Sequence, residues 1–156
     1  MADYKNPEDT LILETSKGNI AIEMRADVAP LHVAQIKRLV KEGFYDGIIF
    51  HRVIDGFMAQ TGCPEGTGTG GADKNIKAEF SKEAHVRGAC SMARSQMPDS
   101  ASSQFFICLD DAGFLDGQYT YWGKVIDGMD NVDALAKGEP PRNPDLINKA
   151  YMASDI

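Results

Sequence analysis

The chain has 156 residues and a mass of 17.0 kDa, with 43% hydrophobic and 25% charged residues. That describes one globular domain over residues 1–156 and excludes a disordered or fibrous chain. A formal net charge of −7, with a pI of about 4.9, repels phosphate backbones and anionic lipid. Neither nucleic acid nor a membrane is expected as a partner, and a monomer is expected.

The first seven residues, Met1-Ala-Asp-Tyr-Lys-Asn-Pro7, contain no apolar core of the signal-peptide kind. Thr10-Leu-Ile-Leu-Glu-Thr15 is rich in strand formers, and Ser16-Lys-Gly18 makes a short turn. Asn19–Met24 follows with Ile20, Ile22 and Met24 at period two, so the pair reads as an antiparallel hairpin. The period then changes. Pro30 suits a first helical position. Val33, Ile36, Leu39 and Val40 draw one apolar stripe, and Gly43 stops it. This predicts a helix of three to four turns.

Residues 48–62 read as two strands joined at Asp55-Gly56. From Cys63 to Lys74 the chain is rich in Gly and Thr and predicts a loop. Strands are predicted over 89–93, 104–109 and 121–126, a short helix over 131–137 with Gly138 as its stop, and a last strand over 145–152. Strands dominate, without the strand–helix alternation of a parallel sheet. A closed antiparallel barrel with helices on its open ends fits this order, because closure removes unpaired edges.

Cys63, Cys90 and Cys108 form no C-x-x-C pair, and three cysteines cannot close a full disulfide framework. They are expected to be reduced, which points to the cytoplasm. Gly66-Thr-Gly68-Thr-Gly-Gly71 matches G-x-G-x-x-G, but no helical period follows it, so a tight loop is expected rather than a nucleotide site. His32, His51 and His85 lack metal-ligand spacing. His51 is expected to be a structural, hydrogen-bonded side chain. Asp110-Asp111 reads as a solvated turn. No nucleophile elbow occurs.

Phe50-His-Arg52-Val-Ile-Asp-Gly-Phe57-Met58-Ala-Gln60 carries an arginine inside an apolar run, where an unpaired charge is costly. Strand parity puts Met58 and Gln60 on one face, and likewise Gln104 and Phe106. If these strands are neighbours, one surface carries an apolar floor with a few fixed donors, which is the makeup of a small ligand pocket. The same residues also permit a plain core in which Arg52 pairs with an acidic neighbour.

Phe50–Gln60, Gly68–Gly71, Ser91-Met-Ala93, Ser103-Gln-Phe-Phe-Ile-Cys108, Phe114-Leu-Asp-Gly117 and Gly123-Lys-Val125 together resemble the cyclophilins, which are peptidyl-prolyl cis-trans isomerases. The likeness runs from about Thr10 to the last strand. It implies a closed eight-stranded antiparallel β-barrel capped by two α-helices, with no cofactor. It implies action on proline-containing polypeptides, in support of protein folding. The alternatives are a proline-peptide binding module or a chaperone with little turnover. Position by position, the resemblance makes Arg52 the catalytic arginine. Phe57, Met58, Phe106 and Leu115 become the proline pocket, and Gln60 the support of the arginine and of the substrate backbone. Ala93, Gln104 and Gly68 would line the neighbouring groove. Three positions depart from the family pattern. Arg94 stands where an asparagine often holds the substrate backbone, Phe114 where many members carry tryptophan, and Tyr119 where many carry histidine. Without an indole N–H at 114, only weak cyclosporin binding is expected.

Overall fold

The computed structural model describes residues 4–155. Eight strands form one antiparallel sheet: β1 (Thr10–Thr15), β2 (Gly18–Met24), β3 (Arg52–Ile54), β4 (Met58–Thr61), β5 (Ala89–Met92), β6 (Phe105–Cys108), β7 (Tyr121–Asp127) and β8 (Ile147–Met152). The two helices are α1 (Pro30–Lys41) and α2 (Met129–Asp133). The strand order is β3-β4-β6-β5-β7-β2-β1-β8.

The barrel differs from the expected closed form. β3 and β8 are the two ends of the sheet and share no ladder, so the strands make a curled half-barrel. The segments just before β3 and β8 meet instead. The Gly47 N–H donates to the Ile147 carbonyl at 2.6 Å, Ile147 N–H to Ile48 at 2.8 Å and Phe50 N–H to Asp145 at 2.8 Å. These bonds satisfy backbone groups at the seam without continuing the pleat.

Alternation sorts the strand residues between two apolar clusters. Leu11, Leu13, Ile20, Ile22, Val53, Ala59, Cys90, Phe105, Ile107 and Trp122 belong to the main core. The stripe of α1 (Val33, Ile36, Leu39, Val40) completes it, with Val132 and Leu135 from the α2 region. Their immediate neighbours along the strands point the other way. Met58, Phe106, Cys108, Ala89 and Tyr121 form a second, smaller cluster with Ala112 and Leu115. The two clusters therefore lie on opposite faces of one sheet.

The second helix begins two residues earlier than the periodicity suggests and ends four residues earlier. Gly128, in the left-handed region at φ 86°, sets its start, and Ala134 already closes it. Residues 134–137 turn without continuing the helix. No helix among the described residues is long and apolar enough to cross a membrane.

Candidate active site

The site is built on the face opposite the main core. β4 pairs with both β3 and β6, and Gln60 lies opposite Arg52 on one side and Phe106 on the other. β5 continues the row, with Ser91 opposite Phe106. Arg52, Gln60, Phe106 and Ser91 thus form one transverse line across four strands. Met58, two residues from Gln60, lies on the same face.

Beside that line is a hollow of about 150 Å³ lined by Arg52, Phe57, Met58, Gln60, Ala93, Arg94, Phe106, Leu115 and Tyr119. Met58 and Phe106 are buried as its floor. Tyr119 meets Phe106 edge to face at 5.7 Å, and Phe57 lies 5.7 Å from Phe114. Phe114 is 71% exposed, outside the hollow on the short turn that carries Leu115 into it. A second cavity of about 340 Å³ adjoins the first and is lined by Gln60, Gly68, Ala93, Arg94 and Gln104, among others. Every predicted site residue except Phe114 therefore borders one of two contiguous cavities.

The polar groups are wired differently from the sequence expectation. Gln60 sits across the ladder from Arg52, but its Nε2 donates to Gln104 Oε1 at 2.9 Å. Gln104 Nε2 in turn donates to the Gly68 and Gly70 carbonyls at 3.0 and 2.7 Å. The glutamine pair therefore ties β4 to the glycine loop. Arg52 instead donates through Nε to the carboxylate of Glu139. Among the described residues, its two terminal nitrogens have no hydrogen-bond partner. Of the plain-core reading only the acidic partner is found; Arg52 also borders the hollow that the pocket reading expects.

The glycine loop is held from below by Cys63. Gly68 N–H and Gly70 N–H donate to Cys63 Sγ at 3.3 and 3.2 Å. Burial pushes that thiol's pKa up, but the amide donors outweigh burial and leave it below the ordinary value. Cys90 and Cys108 have no such donors. Burial raises both, Cys108 to about 12. At Gly62 an added Cβ would lie 2.4 Å from the Ser103 carbonyl oxygen, so only glycine allows the end of β4 this close to the segment entering β6.

Three residues beneath the floor gave no motif. His85 Nε2 pairs with Ser91 Oγ at 2.6 Å, and its Nδ1 pairs with Asp116 at 2.8 Å. The His85 backbone N–H also bonds to that carboxylate, which holds the Asp116 carboxyl below its usual pKa. The order resembles a nucleophile–base–acid relay, but His85 and Ser91 are buried and closed to substrate. The His85 ring stacks on Phe106 at 6.4 Å, so the chain of bonds buttresses the floor from behind. His51 departs from expectation: it is buried, yet its Nδ1 has no hydrogen-bond partner among the described residues. Burial, and then the charge of Arg52, lower its pKa and keep the ring neutral.

This geometry meets the known proteins at one family. The sequence pattern described as cyclophilin type peptidyl-prolyl cis-trans isomerase matches residues 10–152. The chain belongs to that family and is a peptidyl-prolyl cis-trans isomerase. It is 52% identical over 171 residues to a probable peptidyl-prolyl cis-trans isomerase of Brucella suis, covering 99% of this chain and 87% of the relative. A peptidyl-prolyl cis-trans isomerase of Helicobacter pylori is 46% identical over 148 residues, covering 92% and 86%. Among solved structures, a cyclophilin from Hirschia baltica superposes with a TM-score of 0.89 at 33% identity, covering 96% of this chain and 76% of that one. A Cryptosporidium parvum cyclophilin-type isomerase, crystallised in the presence of the dipeptide Ala-Pro, gives 0.86 at 29% identity, covering 92% and 98%.

Proposed function

We propose that Arg52 drives the isomerisation by hydrogen-bonding the prolyl nitrogen in the twisted transition state, while Phe57, Met58, Phe106 and Leu115 hold the ring. The substrates are proline-containing polypeptides. The observation that carries this reading is a guanidinium on the rim of a hollow floored by Met58 and Phe106, with both terminal nitrogens free of partners among the described residues.

The chemistry follows from the amide. An X–Pro bond rotates over a barrier of about 18–20 kcal/mol because rotation destroys amide resonance. At 90° of twist the nitrogen recovers its lone pair and accepts a hydrogen bond it could not accept when planar. A donor aimed at that position binds the twisted state more strongly than either planar state, and this difference lowers the barrier. An arginine side chain stays protonated in proteins and offers a rigid fork of donors. The hollow clamps the ring and excludes water, which strengthens the bond.

Gln60 Oε1, whose amide nitrogen is already committed to Gln104, is placed to accept a substrate backbone N–H. The second cavity, between the glycine loop and Ala93, takes the residues flanking the proline. No covalent intermediate is needed. Three free, buried thiols support a reducing compartment, and we place the protein in the cytoplasm as a monomer.

The test is isomerisation of a short Xaa-Pro peptide, followed by exchange between its cis and trans NMR signals. Arg52→Ala is expected to fold and to lose roughly 10²–10³ in kcat/KM, as for loss of one transition-state donor. A fully active Arg52→Ala removes the arginine from this role.

A further inference from the structure

We propose that Glu139 is a positioning residue for Arg52: its carboxylate holds the guanidinium by the Nε edge, so that both terminal nitrogens stay directed to the hollow. This rests on the donor role of Arg52 argued above.

The placement is built into the backbone. Gly138 exchanges both hydrogen bonds with Val53, the residue after Arg52, at 2.9 and 2.8 Å. Gly138 sits at φ 140°, and an added Cβ would lie 2.7 Å from Pro141 Cα, so the turn closes tightly at a glycine. Residue 139 therefore leaves a turn stapled to β3 one position from Arg52.

The contact comes from outside the hollow. Glu139 lines a third cavity of about 520 Å³ that meets the hollow at Arg52 and Gln60 and also takes in His51, Gly68 and Pro140; Glu139 itself does not line the hollow. A guanidinium offers five N–H donors in a fixed plane. A carboxylate on Nε occupies one edge and leaves the opposite end of that plane free. Arg52 is 42% exposed and has no other hydrogen-bond partner among the described residues. Without Glu139, nothing else among those residues hydrogen-bonds it in place. The pair is itself half exposed, so its value is geometric: it restricts where the donor points, not how strongly it is charged.

Such a role predicts a specific kinetic signature. Isomerisation is measured for the wild type, Glu139→Ala, Glu139→Gln, Arg52→Ala and the Arg52→Ala/Glu139→Ala double variant, with Tm recorded for each. Glu139→Ala is expected to lower kcat/KM about five- to tenfold, with the loss in kcat and KM unchanged. Glu139→Gln, which keeps an oxygen facing Nε, is expected to recover most of it. In the Arg52→Ala background, removal of Glu139 is expected to change nothing. Wild-type or higher activity of Glu139→Ala overturns the proposal, the second outcome marking a carboxylate that competes for the guanidinium. An equal fold-loss with and without Arg52, or a loss that tracks a fall in Tm, also overturns it by marking a structural role. If Arg52→Ala is itself fully active, the donor reading fails and positioning with it. If Arg52→Ala is inactive and Glu139→Ala is not impaired, positioning alone fails.

Discussion

Two arginines border the proline hollow, and they are held in opposite ways. Arg94 lies on the loop after β5 and spends its donors on backbone: Nε and Nη2 bond the Gln118 carbonyl at 3.0 and 2.6 Å, and Nη1 bonds that of Ser95 at 3.0 Å. It also stacks on Tyr119 at 4.9 Å and reaches Phe80 at 5.8 Å. Arg52 lies on a strand, has one carboxylate on Nε and, among the described residues, no partner on its terminal nitrogens. The first is a wall: its fork knits two loops and packs against aromatic rings. On the proposed mechanism the second is a tool, because a donor already satisfied by protein gains little by turning to a substrate. On that reading it is unspent donors, and not charge alone, that suit an arginine to the reaction.

That contrast is easily broken. Arg52→Lys is expected to lose roughly 10² in kcat/KM, since a point charge does not reproduce the fork; near-wild-type turnover in the same NMR assay would show that any cation suffices. The exposed rim next to the walls is tested by Phe114→Trp. It restores an indole donor and is expected to tighten cyclosporin about tenfold, the worth of one added hydrogen bond. Titration calorimetry reads this, and nanomolar binding by the wild type contradicts it. Arg94→Ala, by contrast, is expected to cost only about threefold, chiefly in KM, because it loosens a wall without touching the reacting bond. A loss in kcat as large as that of Arg52→Ala would erase the distinction between the two.

The smallest effect is a control outside the hollow. His32 is buried on α1, its Nδ1 is 2.6 Å from Glu79 and its Nε2 has no partner among the described residues. Burial lowers its pKa against the pull of Glu79. As pH falls through about 6.5, the unfolded chain takes a proton that the folded chain refuses, so stability drops on acidification. Tm is expected to fall between pH 7.5 and 5.5, and His32→Gln to flatten that slope by a degree or two, roughly the size of a 1 kcal/mol effect or less. A slope unchanged by the substitution assigns the acid sensitivity to other groups.

What could be read in advance was what repeats along the chain. The apolar alternation of β1 and β2 and the stripe of α1 announce themselves because a strand and a helix each impose a period. The parity of Met58 with Gln60, and of Gln104 with Phe106, was enough to place four side chains on one face. Arg52–Glu139 was invisible, because the partners are 87 residues apart and are joined by a two-bond bridge that leaves no periodic trace. The Asp116–His85–Ser91 chain was hidden for the same reason, with one member in a loop, one in a strand and one after a short turn. The resemblance made Gln60 a support of Arg52, but its amide nitrogen turns to Gln104, because standing opposite a residue on a ladder does not fix where a flexible amide turns. Closure failed as a prediction because strand count and alternation say nothing of whether the two strands at the ends of the sheet, β3 and β8, meet.

The hollow lies on the face of the sheet opposite the main core, at the surface beside the exposed Phe114. A long polypeptide can lay any interior stretch across it, have one linkage turned over and lift away, without a free end ever being fed through.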